Sequence, residues 1–243
     1  MDTITQTLMQ EFSLKEFQVV NTLRLIDEGN TIPFIARYRK EVTGELSDEV
    51  LRNLSERLEY LRGLESRKEE IARLIDVQEK LTPELAAAIQ AAKTMTELED
   101  IYRPYRPKRR TRATIAKERG LEPLSELLLL QDHTDPVKAA ADYITEEVPS
   151  AEDALAGAMD IIAEQISDNA DYRGKIREIT LQNALLVSKA AKDEDSVYSL
   201  YYDFSEPAEK IANHRILAVN RGEKEDILKV TVTLPGNEGP ALV

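Results

Sequence analysis

Between Ser47 and Val77 the chain carries leucine or isoleucine at 51, 54, 58, 61, 64, 71 and 74, mostly in steps of three or four residues. A strand sends alternate side chains to opposite faces, whereas a helix brings residues three and four apart onto one face. The run therefore fits a single long helix with a narrow apolar stripe. Ser47 supplies an N-cap oxygen, and Asp48 with Arg52 and Glu69 with Arg73 are oppositely charged pairs four apart. The stripe is open to two readings, a coiled-coil-like arm or a long helix packed on its neighbours. Gly63 interrupts the heptads and they do not continue far, which favours the packed helix.

The rest of the chain reads as shorter helices. Ile4, Leu8 and Phe12 share a face, and Ser13 is placed as the N-cap of a helix bearing Leu14, Phe17, Val20, Leu23 and Ile26 that ends near Gly29. Asn30 to Pro33 restarts the chain into a short element before a turn at Gly44. Thr82-Pro83-Glu84 opens another helix, Thr96 caps Glu97 to Tyr102, and Thr114 to Arg119 is stopped by Gly120. Asp135-Pro136 and Ser150 begin two more. The helix from Ser150 turns Leu155, Met159, Ile162 and Ile166 inward, and one around Tyr172, Ile176, Ile179 and Leu186 returns against it as an antiparallel pair. Only Asp226 to Leu234 alternates like a strand, with no partner in view, and Pro235 to Val243 reads as a turn or loose tail. The expected fold class is all-α, a multi-helix scaffold with at most a minor terminal strand, in two sub-bundles over 1–110 and 111–243.

Composition narrows the function. The chain has no cysteine, which excludes disulfides, thiolate metal sites and cysteine nucleophiles. No apolar run approaches a membrane span and the first residues carry no signal-peptide pattern, so a cytoplasmic protein without a membrane contact is expected. His133 sits in a turn-like segment and reads as a surface loop residue. His214, near a helix start, reads as a capping or packing residue, and neither has a Ser or Cys partner. Asp193-Glu194-Asp195 lacks a calcium-loop pattern, and Gly222 lacks the upstream glycine and the Ser or Thr of a phosphate loop. No catalytic residue, metal or cofactor is expected.

One segment stands against the overall charge. Arg103 to Arg119 holds eight basic side chains and one acid, a net of +7, in a chain of net −13, so the remainder sums to −20. Tyr102 and Tyr105 lie among the cations, with Pro104 and Pro107 stiffening an extended backbone. Arg103, Arg106, Lys108, Arg109, Arg110 and Arg112 can meet phosphates, and Tyr102 and Tyr105 can stack bases. The same strap can instead neutralise its own domain, its guanidinium groups pairing with acids such as Glu97, Glu99 or Asp100. The docked reading suits Arg103 and Arg106 and the exposed reading suits Lys108, Arg109 and Arg110. Arg37, Arg39 and Lys40 form a second, smaller basic group, with Phe34 and Ile35 in the core.

Three stretches, IPFIARYRKEVTGELSDE, LEDIYRPYRPKRRTRATIAKERGLEPL and HRILAVNRGEKE, in this order, resemble the N-terminal region of the Tex family of bacterial transcription accessory proteins. The likeness runs from about Phe12 to Leu234. It implies a many-helix scaffold, part of it helix-turn-helix-like. It also implies a longer protein that continues into a nuclease-like domain not held to be catalytic, helix-hairpin-helix motifs and an S1 domain that is the main nucleic-acid grip. The family is related to a eukaryotic elongation factor that travels with RNA polymerase. The role so implied is a non-enzymatic scaffold in a protein that binds RNA or DNA, with the transcription machinery as a further partner. The alternative is a pure protein-interaction module with the strap salt-bridged internally.

Overall fold

The computed structural model describes residues 2–131, 135–192 and 195–236. His133, Asp193, Glu194 and the end of the tail lie outside the described residues. The chain divides into two compact units, Met1–Leu98 and Glu99–Val243.

The first unit is built on the long helix. In chain order it contains α1 (Thr3–Phe12), α2 (Glu16–Asp27), α3 (Ile32–Tyr38), α4 (Lys40–Thr43), α5 (Asp48–Asp76), α6 (Pro83–Ala91) and the first half of α7 (Met95–Tyr102). Ser47 Oγ accepts the Val50 N–H at 3.2 Å and so closes the start of α5. Along α5, Leu51, Leu54, Leu58, Leu61, Leu64, Ile71 and Ile75 are buried. Leu54, Leu58 and Leu61 pack with Leu8 of α1 and Val19 of α2, and Leu51 packs with Leu25 and Ile35. The stripe is therefore a packed helix rather than a free arm, because three short helices cover it. Gly63 faces open space and leaves that packing intact. Asp48 and Arg52 pair at 2.6 Å.

Two local details differ from the sequence reading. Ser13 closes α1 in the left-handed region, at φ 53°, and Lys15 is the N-cap of α2, its N–H donating to Gln18 Oε1 at 3.1 Å. Lys68 is buried on α5, where its ammonium donates to Gln90 O at 3.0 Å and pairs with Glu65 at 2.9 Å. A buried lysine so satisfied ties α5 to the end of α6 instead of facing solvent.

The second unit holds α8 (Arg112–Glu118), α9 (Glu122–Leu129), α10 (Pro136–Ala141), α11 (Ala151–Asp168), α12 (Ala170–Asn183) and α13 (Asn213–Lys224). Its core gathers Ala113, Ala116, Leu121, Leu124, Ala140, Val148, Ala154, Ala158 and Ile161 around α11. Small residues let α8 approach α11 closely: a Cβ on Gly157 would lie 3.3 Å from Ala116 Cβ on α8, and 2.4 Å from Leu121 Cδ1 just before α9. Asn169 joins α11 to α12, serving one as C-cap and the other as N-cap.

The expected lone strand has partners. β1 (Leu185–Ala190) is the centre of an antiparallel sheet ordered β2-β1-β3, with β2 (Asp203–Pro207) and β3 (Leu228–Thr233) at its edges. Val187 faces Ser205 on one side and Thr231 on the other. Leu186 matched a helical spacing from Tyr172, but α12 stops at Asn183 and the Leu-Leu-Val run that follows joins the sheet. The class remains mostly α, with thirteen α-helices against three short strands among the described residues.

Candidate nucleic-acid interface

The basic strap does not run extended from Arg103. Arg103–Tyr105 forms a turn of 3-10 helix, for which Pro104 at the first turn is pre-set, and the Arg106 N–H returns to Tyr102 O at 3.1 Å. The chain then extends to Thr111, whose Oγ1 accepts the Thr114 N–H at 3.1 Å and starts α8. Helix formation thus begins at Arg112, two residues before Thr114.

The strap's cations meet acids on α11. Asp160, Glu164 and Asp168 stand four apart, on one face of that helix. Arg112 Nε lies 3.5 Å from Asp160, Thr111 Oγ1 donates to Glu164 at 3.0 Å, and Lys108 Nζ lies 3.6 Å from Glu164. Lys108 also donates to Asp168, which accepts Arg103 Nε at 3.0 Å. The order of partners makes the strap run antiparallel to α11. Asp168 is nearly buried, its side chain 11% exposed, and shares two cations. An open cleft of about 340 Å³ lies here, lined by Pro104, Lys108, Lys117, Glu164 and Asp168 among others.

The acids anticipated from nearby sequence do other work. Asp100, on α7, is buried and receives Arg173 Nε at 2.5 Å and the Arg177 guanidinium, both from α12. Burial alone would raise its carboxyl pKa, but the two guanidinium groups outweigh that and hold it below its ordinary value. Glu97 accepts the Lys93 N–H at 2.8 Å. The ladder on α11 was legible as Asp-x-x-x-Glu-x-x-x-Asp inside a helix read from the sequence. Nothing local, however, tied it to a segment some fifty residues earlier.

The remaining strap residues divide by exposure. Arg110 pairs with Glu118 at 2.6 Å on an exposed surface, and Lys117 with Glu122 at 2.9 Å. Such exposed pairs are worth about 0–1 kcal/mol and exchange readily with solvent. Arg106, Arg109 and Arg119 are exposed, and their guanidinium groups have no hydrogen-bond or carboxylate partner among the described residues. Tyr102 is buried, 5% exposed, so its ring offers no face to a base, while Tyr105 is half-buried. Lys108 is exposed, as expected, and is also paired with Glu164 and Asp168. The strap lies in the same compact unit, Glu99–Val243, as its acidic partners on α11.

The smaller basic group lies in the first unit. Ile35 is fully buried against α5, which leaves Arg37, Tyr38, Arg39 and Lys40 exposed. None of the three cations has a carboxylate within 4 Å among the described residues. His214 is exposed in the first turn of α13, and Ala212 is the N-cap. Among the described residues no group of three or more acids and histidines is placed to hold a metal ion, and no helix is long and apolar enough to cross a membrane.

Residues 2–76 match the Tex-like protein N-terminal domain and residues 131–241 match the Tex central region. The chain is 46% identical over 241 residues to the uncharacterized protein YdcI of Bacillus subtilis, covering 96% of this chain and 34% of that protein. It is 43% identical over 240 residues to the transcriptional accessory protein Tex of Neisseria gonorrhoeae, covering 98% and 32%. It is 30% identical over 244 residues to human S1 RNA-binding domain-containing protein 1, covering 95% and 24%. The chain spans about a third of the length of the bacterial relatives and about a quarter of the human one. With both domain matches in order and this identity along nearly its whole length, the chain belongs to the Tex family and comprises its N-terminal and central regions.

Proposed function

We propose that this chain is a non-catalytic scaffold of a cytoplasmic transcription accessory protein, and that its strap contacts the phosphates of RNA or DNA. The observation that carries this is the division of the strap's cations. Arg103, Lys108 and Arg112 pin the segment to α11, while Arg106, Arg109 and Arg119 project from it without acidic partners. A pinned backbone holds free guanidinium groups in place before any ligand arrives, which lowers the ordering cost of binding. Relatives named as a transcriptional accessory protein and as an S1 RNA-binding domain-containing protein support a nucleic-acid setting. The expected binding is salt-dependent and poor in sequence preference, since phosphates carry no base identity.

A second reading has its own support. The pairing of Arg103, Lys108 and Arg112 with α11 is what an internal strap requires, and the strongly acidic remainder then serves a basic protein partner, such as part of the transcription machinery. A salt titration separates the two. The chain is titrated with short labelled oligonucleotides, beside a variant with Arg106→Ala, Arg109→Ala and Arg119→Ala. If three phosphates are neutralised on a single strand, log K falls with log salt with a slope that shrinks by about 2 in the variant. Absence of binding at low salt, or an unchanged slope, favours the protein-interaction reading.

A further inference from the structure

We infer that the short element Phe34 to Lys40 is a second nucleic-acid surface, one that takes unpaired bases, with Tyr38 as the stacking ring. This rests on the reading that the chain contacts nucleic acid, but it uses no residue of the strap and lies in the other unit.

Four observations carry it. First, Tyr38 is 60% exposed at the end of α3, yet its ring is held: Phe34 stands 5.3 Å away between ring centroids and the Arg37 guanidinium lies 6.0 Å from the Tyr38 centroid. Second, the arginines here sit on rings rather than acids. Arg39 is 5.1 Å from the Phe34 centroid and donates to Tyr38 O at 3.1 Å. Elsewhere in the unit Arg24, Arg52, Arg57, Arg62 and Arg67 each have a carboxylate within 4 Å, although Arg57 also lies 4.9 Å from the Tyr60 ring centroid and Arg73 has no carboxylate partner among the described residues. Third, the platform is fixed. Ile35 is fully buried, and α2 clamps the segment that follows, Asn21 donating to Val42 O at 2.9 Å and Gln18 to Gly44 O at 3.1 Å. Fourth, Lys40 adds a third exposed cation two residues after Tyr38.

The chemistry of this group is selective. A flat ring offers its face to any base, but only to a base that has left its duplex stack. Guanidinium and ammonium groups beside it meet the flanking phosphates. A basic patch serving phosphates alone would bind duplex as well as single strand. A ring held open among unpaired cations favours the single strand. Ribose and deoxyribose strands share this chemistry, so both sugars are tested.

The test uses the whole chain with oligonucleotides carrying 2-aminopurine, whose fluorescence is quenched on stacking, as single-stranded RNA, single-stranded DNA and the matching DNA duplex. Tyr38→Ala is compared with Tyr38→Phe, and with the strap variant Arg106→Ala/Arg109→Ala. Tyr38→Ala is expected to weaken single-strand binding about five-fold or more, with loss of quenching, and Tyr38→Phe to keep both. Duplex binding is expected to change less than two-fold. A Tyr38→Ala chain that binds single strands as the parent does, or loses duplex binding equally, overturns the inference. If the strap variant alone loses affinity, the inference fails while the strap reading stands. If Tyr38→Ala alone loses it, the reverse holds. A parent chain that binds no oligonucleotide at low salt overturns both.

Discussion

Removing the Asp100 carboxylate is expected to loosen α12 specifically. Asp100 is 6% exposed and receives a hydrogen bond from each of Arg173 and Arg177. α12 has no fully buried residue of its own, so this pair of contacts is a principal anchor of that helix. Orphaning a wholly buried charge costs about 3–5 kcal/mol, but the arginine side chains here are 33% and 35% exposed and can turn to water in Asp100→Ala. Charge-assisted bonds of about 1.5–3 kcal/mol each, discounted for that screening, leave about 2–3 kcal/mol for the substitution. At roughly 2–4 °C per kcal/mol for a chain of this size, Tm falls by about 4–12 °C. Urea denaturation gives the total and amide hydrogen exchange gives its location: protection should fall in α12 well beyond any change in α9. A double-mutant cycle with Arg173→Ala isolates that pair, since Asp100→Ala should cost less once Arg173 is gone and only the Arg177 bond is left to lose. A loss below about 0.5 kcal/mol, or equal loss of protection in α9 and α12, would refute the reasoning.

Two further outcomes follow from the same geometry. Glu11 and Asp27 are held below their ordinary pKa values chiefly by hydrogen bonds from Arg57 and Arg62, and Asp100 is held down against its burial by its two arginines. A carboxyl whose folded pKa lies below its unfolded one binds protons more readily when unfolded. Its stabilisation is therefore complete above the unfolded values, 3.8 for Asp and 4.5 for Glu, and is lost as pH falls through the folded ones. The urea midpoint should hold steady down to about pH 5 and then drop, less steeply in Asp100→Ala; a decline confined to higher pH contradicts this. Gly222→Ala should cost about 1–3 kcal/mol, because its Cβ would lie 2.6 Å from Leu228 Cδ1 and 2.9 Å from Cγ, where buried Leu228 has no room to retreat. Thermal melts check it, and an unchanged Tm would mean that the α13–β3 contact adjusts freely.

The sequence carried those parts of the fold that depend on near neighbours. The α5 stripe, the Ser47, Thr82, Asp135 and Ser150 caps and the helical class all follow from spacing or from a side chain two or three residues from its partner. It failed where the partner is distant. Leu185-Leu186-Val187 fits a helix or a strand by local pattern, and only pairing with β2 and β3 decides it. The same holds for charge. Asp100 is the nearest acid to the strap in sequence, yet its partners arrive from α12, more than seventy residues on. Tyr102 and Tyr105 look alike in Tyr-Arg-Pro-Tyr-Arg-Pro, but one is core and the other half-buried, a difference that local pattern does not carry.

The arrangement of the strap bears on why a basic segment sits in so acidic a chain. If neutralising α11 were its whole purpose, its cations would be matched to the available acids. Instead Asp160, Glu164 and Asp168 engage Arg112, Lys108 and Arg103, and Arg106 and Arg109 remain between them unmatched. In extended backbone, successive side chains point to opposite faces. Lys108 turned to α11 therefore leaves Arg109 turned to solvent. At this position docking and display are consequences of one geometry: the Lys108 contact that fixes the strap is what aims Arg109 outward. Asp168, nearly buried and shared by two cations, is the position where that coupling is concentrated.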